Sequence, residues 1–217
     1  MKPEYIHLIR HGESKANVSN DVYKKTPDWK VPLTKKGKDQ AKVAGESLGH
    51  VLKERQEKPS IIIYTSPMVR ALQTARVIKK HIGIPCKNFY EDPRLREQHW
   101  GNYQEDHLKL KIAKERDRFG TLFYGIPYGE SGAAVYDRIS TFLETLYRDF
   151  EKPDYPSNAI IVSHGLAIKA FLMRFFHWKV KEFEEMKNPK NCEIFTLKLV
   201  MNRYNLITPV RKRAKAT

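Results

Sequence analysis

Three short apolar runs constrain this chain more than any other feature. Residues 5–9, 60–64 and 159–163 are rich in isoleucine and its apolar kin. Each is too short for a buried helix and the right length for a buried strand. The second run is bounded by Pro59 and by Ser66-Pro67. Between the runs, apolar residues recur at helical spacing. Ala41, Ala44, Leu48, Val51 and Leu52 share one face of a helix predicted over residues 35–55. Val135, Ile139, Phe142, Leu143, Leu146, Tyr147 and Phe150 share a face of another. Ser66 is a good N-cap and Pro67 a good first helical residue, so a helix is predicted to begin there. Strands alternating with helices predict an α/β fold of three layers, a mostly parallel central sheet flanked by helices.

In open α/β sheets, ligands gather beyond the carboxyl ends of the strands. Arg10-His11-Gly12-Glu13 follows the first run, Ser66 and Arg70 follow the second, and His164-Gly165 follows the third. All three therefore address one rim. A neutral imidazole is a good nucleophile toward phosphorus, and guanidinium grips phosphate oxygens as a fork. Gly12 allows a sharp turn and the close approach of a ligand. This pairing points to phosphoryl transfer through a histidine, with no metal required. His7 and His11 are four apart, but no His-Glu-x-x-His helix or carboxylate cluster accompanies them. His7 reads as a core histidine. Gly12 and Gly165 belong to no Walker loop and no Gly-x-Gly-x-x-Gly turn.

A chain of 217 residues with 41% hydrophobic residues fits one folded domain, expected over residues 1–208. Residues 92–132 depart from the pattern. Asp92-Pro93, Trp100-Gly101, Ile126-Pro127 and Tyr128-Gly129 surround a polar, helical middle. This stretch reads as a helical and loop insertion packed over the active site. Residues 209–217 read as a basic, mobile tail. Cys86 and Cys192 are far apart and form no Cys-x-x-Cys, so reduced thiols in a cytoplasmic protein are expected. The basic tail leaves nuclear access open. No apolar run is long enough to span a membrane, and no cleavable signal peptide is expected, because His11 lies where one would be removed. Forty basic residues against 25 acidic give a net charge of +15. The lysines are scattered, only residues 210–215 form a dense run, and no nucleic-acid motif accompanies them. The charge is read as an electrostatic funnel for a small phosphorylated substrate, and a nucleic-acid partner is not expected.

Five blocks in order carry a wider resemblance. They are Arg10-His11-Gly12-Glu13-Ser14 with Asn17, and Pro32-Leu33-Thr34 with Gly37 and Gln40-Ala41. Then come residues 65–75, which include Arg70, and Leu95-Arg96-Glu97-Gln98 with Trp100-Gly101. Ser163-His164-Gly165 is the last. Together they resemble the histidine phosphatase superfamily, the phosphoglycerate mutase-like fold. The resemblance implies His11 as a nucleophile that becomes phosphohistidine, and Arg10, Arg70 and His164 as the holders of the phosphoryl oxygens. It implies Glu97 as general acid and base, with Glu13 left structural. Ser14, Asn17 and Gly165 join Arg10, Arg70 and His164 as the expected substrate-binding set. No cofactor or metal is expected. The family contains phosphatases and mutases. Its mutases carry a Gly-Trp-x-Asp element and an adjacent Arg-Arg pair. This chain has Thr26-Pro27-Asp28-Trp29-Lys30 and Glu115-Arg116-Asp117-Arg118 in those regions. A phosphatase acting on phosphomonoesters is therefore the expectation. A cofactor-dependent phosphoglycerate mutase, or a catalytically weak phosphate-binding protein, is the alternative. Neither the substrate nor the oligomeric state is legible.

Overall fold

The structure, a computed structural model, describes residues 2–101 and 106–213. In chain order its strands are β1 (Tyr5–Arg10), β2 (Ile61–Thr65), β3 (Cys86–Glu91), β4 (Asn158–Ser163), β5 (Ile194–Val200) and β6 (Arg203–Leu206). Its helices are α1 (Lys15–Val18), α2 (Lys35–Arg55), α3 (Val69–His81), α4 (Asp106–Phe119), α5 (Gly132–Phe150), α6 (Gly165–Phe176) and α7 (Val180–Glu185). Short 3-10 turns lie at Asn20–Lys24, Asp28–Lys30 and Pro93–Leu95. The three apolar runs are β1, β2 and β4, side by side in one six-stranded sheet of order β3-β2-β4-β1-β5-β6. The first four strands in that order are parallel; β5 pairs antiparallel with β1, and β6 antiparallel with β5.

Side chains alternate across a strand, so a run buried on both faces feeds two cores. Tyr5, Ile9, Ile61, Ile63, Ile160 and Val162 meet Leu48, Leu52, Ala71, Ala75 and Ile78 from α2 and α3. Ile6, Leu8, Ile62, Tyr64, Ala159 and Ile161 meet α5 and α6 on the other face, around Phe142, Leu146 and Phe171. The expected three layers and the mostly parallel sheet are both present. The helix expected over residues 35–55 forms with those bounds, capped by Thr34, whose hydroxyl accepts from the Gly37 amide at 3.0 Å.

Register sets the site. Arg10 pairs with Ser163, and Thr65 with Val162, so β1, β2 and β4 all end at one level. The residues that follow them, His11, Ser66 and His164, are thereby neighbours.

Four expectations are corrected. The helix after β2 starts at Val69, with Met68 as its cap residue; Ser66 and Pro67 stay outside it, and the buried Ser66 hydroxyl faces His164 Nε2 at 2.8 Å. Tyr147, read as a core position of α5, is 45% exposed, since the sheet needs only the other positions of that face. The segment read as a loose basic tail is engaged as far as Arg213. Arg211 bonds Glu193 at 2.7 Å, Lys212 bridges to Met186, and Arg213 faces Asp117 at 3.6 Å. Acidic partners from the body neutralise those cations. Residues 214–217 of that segment lie outside the described residues. Gly12 is the fourth, taken up with its site below.

Candidate active site

Beyond the carboxyl ends of the parallel strands lies a cleft of about 990 Å³. Its floor holds Arg10, His11 and Arg70, and its walls include Asn17, Asp28, Trp29, Glu97 and Trp100. The segment read as an insertion supplies one wall through residues 96–101, Leu110 and Ala113 of α4, and residues 129–130. Asn102 to Glu105 lie outside the described residues.

His11 sits one residue past β1, and its amide donates to the Ser163 carbonyl at 3.0 Å. Its Nδ1 lies 2.7 Å from the Gly12 carbonyl oxygen. A carbonyl only accepts, so Nδ1 carries the proton and Nε2 is left with its lone pair. Burial holds the His11 pKa well below the usual histidine value, and the Arg70 and Arg10 charges push the same way. His11 is thus a neutral imidazole with a fixed tautomer.

Gly12 does not open the site to a ligand, as the sequence suggested. A Cβ there would strike the Gly37 carbonyl oxygen, and one on Gly37 would strike the Glu13 carbonyl oxygen. The two glycines let the turn after β1 lie directly on the start of α2. Glu13 is tied into the same joint. Its carboxylate accepts from Thr34 Oγ1 at 2.9 Å and from Lys36 Nζ at 2.8 Å.

Arg70 projects from the first turn of α3 and is only 5% exposed. Its guanidinium donates to the Asp28 carboxylate at 2.9 Å and to the Asp28 carbonyl at 2.8 Å. Arg10 Nη1 donates to the Pro189 carbonyl at 2.6 Å, while its buried Nε has no partner among the described residues. Both guanidinium groups are anchored on one side, which aims their remaining donors. Asn17 uses its carbonyl oxygen to accept from the Ser14 amide, the Ser14 hydroxyl and Asn191 Nδ2, at 3.0, 3.1 and 3.2 Å. That fixes the amide and frees its NH2 as a donor to the cleft. Ser14 itself is buried in this bonding.

His164 is fully buried behind His11, the ring centroids 5.1 Å apart. Its Nε2 lies 2.8 Å from Ser66 Oγ, which also accepts from the Met68 amide at 3.3 Å. That geometry lets the hydroxyl donate to Nε2 and leaves the N–H on Nδ1, which is buried without a partner among the described residues. Burial and the Arg70 charge hold its pKa well below the usual value. His164 and Gly165 do not line the open cleft. The other six expected site residues do.

Glu97 faces the cleft from the loop after the Pro93–Leu95 turn. Its Oε1 accepts from the Gln98 amide at 3.0 Å, and Oε2 from the Leu166 amide at 3.3 Å in the first turn of α6. Arg94 and Arg96, its competing partners on sequence grounds, bind Asp92 and Glu130, each at 2.6 Å. Arg138 clamps the loop by donating to the Arg94 and Arg96 carbonyls at 2.6 and 2.8 Å. His7 is buried with Nδ1 3.0 Å from Thr196 Oγ1, far from this chemistry. Among the described residues, no three His, Cys, Asp or Glu side chains are grouped to hold a metal.

Asp28 and Asn191 act here without having been identified in the sequence, because their partners are distant in the chain. Ser66 was placed at the rim by the sequence, inside the block of residues 65–75, but as a helix cap and not as the partner of His164.

A chain with this fold and this histidine pair belongs to a known class: the family model of the histidine phosphatase superfamily (branch 1) matches residues 6–209, and the chain belongs to that family. Among its relatives is a phosphoglycerate mutase-like protein of Arabidopsis thaliana, AT74H, 39% identical over 92% of this chain and 75% of that protein. A broad-range acid phosphatase of Saccharomyces cerevisiae, DET1, is 28% identical over 97% of this chain and 90% of its own length. The solved structure of a mycobacterial glucosyl-3-phosphoglycerate phosphatase with VO3 superposes with a TM-score of 0.72 and 23% identity, covering 96% of this chain and 99% of that one. That likeness carries the fold.

Proposed function

We propose that the protein is a phosphatase that hydrolyses small phosphomonoesters through a phosphohistidine on His11. One observation carries the reading. His11 is held neutral with Nε2 unprotonated, and the guanidinium groups of Arg10 and Arg70, each anchored on one side, line the same cleft. The Nε2 lone pair attacks phosphorus in line with the ester oxygen. Arg10 and Arg70 take up the charge of the equatorial oxygens and Asn17 adds a neutral donor, while His164, buried beside His11 and outside the open cleft, adds its Nδ1–H only where the bound phosphoryl group reaches down to it. As the P–O bond breaks, Glu97 gives its proton to the leaving oxygen. Glu97 then takes a proton from water, which attacks the phosphohistidine and releases inorganic phosphate. The chain's own cations supply the charge stabilisation, so no metal is assigned a step. The presence of Arg10, His11, Arg70, Glu97 and His164 together favours turnover over a merely phosphate-binding role. A phosphatase among the relatives supports hydrolysis. Two free cysteines, and the absence of a helix long and apolar enough to cross a membrane among the described residues, fit the cytoplasm. The test is turnover of p-nitrophenyl phosphate in EDTA with vanadate as inhibitor. Hydrolysis that survives EDTA and falls with vanadate supports the reading. Activity restored only by a divalent ion contradicts it.

A further inference from the structure

Lys169 interrupts the apolar face of α6 and is 1% exposed. Its ammonium sits 4.5 Å from the centre of the Phe183 ring. No hydrogen-bond acceptor for it is found among the described residues. Burial draws its pKa down to about 8, which still leaves it charged at neutral pH. A buried cation whose nearest carboxylates, Glu184 and Glu97, make no direct ion pair with it among the described residues is costly. Beside it lies a cavity of about 70 Å³ that adjoins the main cleft along Glu97, Gln98 and Trp100. Arg116 and Arg213 line it with Lys169. Arg116 spends one nitrogen on Gln98 Oε1 at 2.8 Å and stacks 5.1 Å over Trp100, while its buried Nε has no partner among the described residues. Asn188 and Thr121 add neutral polar groups. Against three cations stands one lining carboxylate, Glu97. The nearby Glu184 carboxylate is engaged by the Leu122 amide at 2.8 Å. The volume equals roughly two waters at about 30 Å³ each, enough for one small oxyanion.

We propose that this cavity is a second anion site taking a small oxyanion, either the second acid group of a doubly anionic phosphomonoester or a free inorganic or carboxylate anion. Glu97, Gln98 and Trp100 line both the cavity and the cleft, so one molecule with two acid groups can address both. Only the first source rests on the phosphatase reading.

Phenyl phosphate and its 2-, 3- and 4-carboxyphenyl analogues test the first source. At least one carboxylated ester should exceed phenyl phosphate in kcat/KM by about tenfold, mainly through KM, as expected of a charged hydrogen bond. In Lys169→Met that ratio should collapse toward one. Malonate titrated against tryptophan fluorescence tests the second source. A free-anion site gives a saturable signal in the wild-type protein that Lys169→Met abolishes, with the substrate ratio near one. Arg213→Gln, at the exposed mouth, should weaken whichever signal appears and replaces Lys169→Met if that variant does not fold. A ratio near one together with no saturable malonate signal means a cavity holding only water and overturns the proposal. So does either signal if it survives both substitutions. The malonate arm needs no turnover. A protein that binds malonate here but hydrolyses no ester therefore contradicts the phosphatase reading and leaves this site standing. One that hydrolyses phenyl phosphate with neither signal does the reverse.

Discussion

At the scale of single residues, one carbonyl decides which nitrogen of His11 is free, and burial, helped by the Arg70 and Arg10 charges, keeps the ring neutral. In the proposed mechanism Glu97 is the group that supplies the leaving oxygen with a proton. Glu97→Gln should therefore slow turnover roughly a hundredfold for poor leaving groups and much less for activated aryl phosphates, which need little protonation. Equal losses across leaving groups of very different basicity would move the acid role elsewhere. His7 offers a test of folding. Burial, aided by the Arg55 charge, draws its pKa to about 3. Above the unfolded value of about 6.5, neither state is protonated and His7 is silent. As pH falls below that value, the unfolded chain binds a proton that the folded one refuses. Stability is lost progressively down to about pH 3, by roughly 5 kcal/mol at the limit. Thermal melts from pH 7 to 4 should fall less steeply in a His7→Leu variant, and parallel slopes would contradict this. Arg10, His11, Arg70 and Glu97 were legible as residues of one cleft, and His164 as a neighbour of His11, because each stands in one of the five blocks. Asp28 and Asn191 were not. Asp28 reaches Arg70 across 42 positions and Asn191 reaches His11 across 180, and no local pattern encodes such contacts. Ser66 was misread because a serine before a proline has the chemistry of a cap as well as that of a histidine partner.

At the scale of elements, the strands that carry the site were the legible ones, because strands buried on both faces are continuous apolar runs. The edge strand β3, with Lys87, Asn88 and Glu91 exposed, has no such run and went unread. In β5 the pattern was present, with Phe195 and Leu197 buried and the half-buried Thr196 and Lys198 alternating with them, and alternation could have found it. The insertion was placed, and its helix α4 does line the cleft. The joint between β1 and α2 was misjudged. The Gly12–Gly37 contact is between backbones, which side-chain patterns do not report. Gly12→Ala should force the nucleophile's turn away from α2 and cost about 1–3 kcal/mol, as overpacking does. A lowered urea midpoint with an unchanged slope is the expected result. An alanine variant as stable as the parent would show that the joint has slack.

At the scale of the whole molecule, the question is where the phosphoryl group goes after His11. Mutase chemistry needs a grip on a sugar-acid carboxylate and exclusion of water. Asp28 is engaged with Arg70, Arg118 lies over Phe119 rather than pairing with Arg116, and the cleft of about 990 Å³ leaves room for water beside His11 whatever acid group the neighbouring cavity takes. Phosphate release should therefore exceed interconversion of 2- and 3-phosphoglycerate, even with 2,3-bisphosphoglycerate supplied. Efficient interconversion would place the chain on the mutase branch. The most direct measurement of the central claim is a rapid alkaline quench with a 32P-labelled phosphomonoester, followed by peptide mapping. Phosphohistidine survives alkali, so the label should appear on the peptide holding His11 and discharge to inorganic phosphate as fast as turnover. His11→Ala should show neither label nor turnover. Turnover without a labelled His11, or a labelled protein in the alanine variant, would contradict the claim.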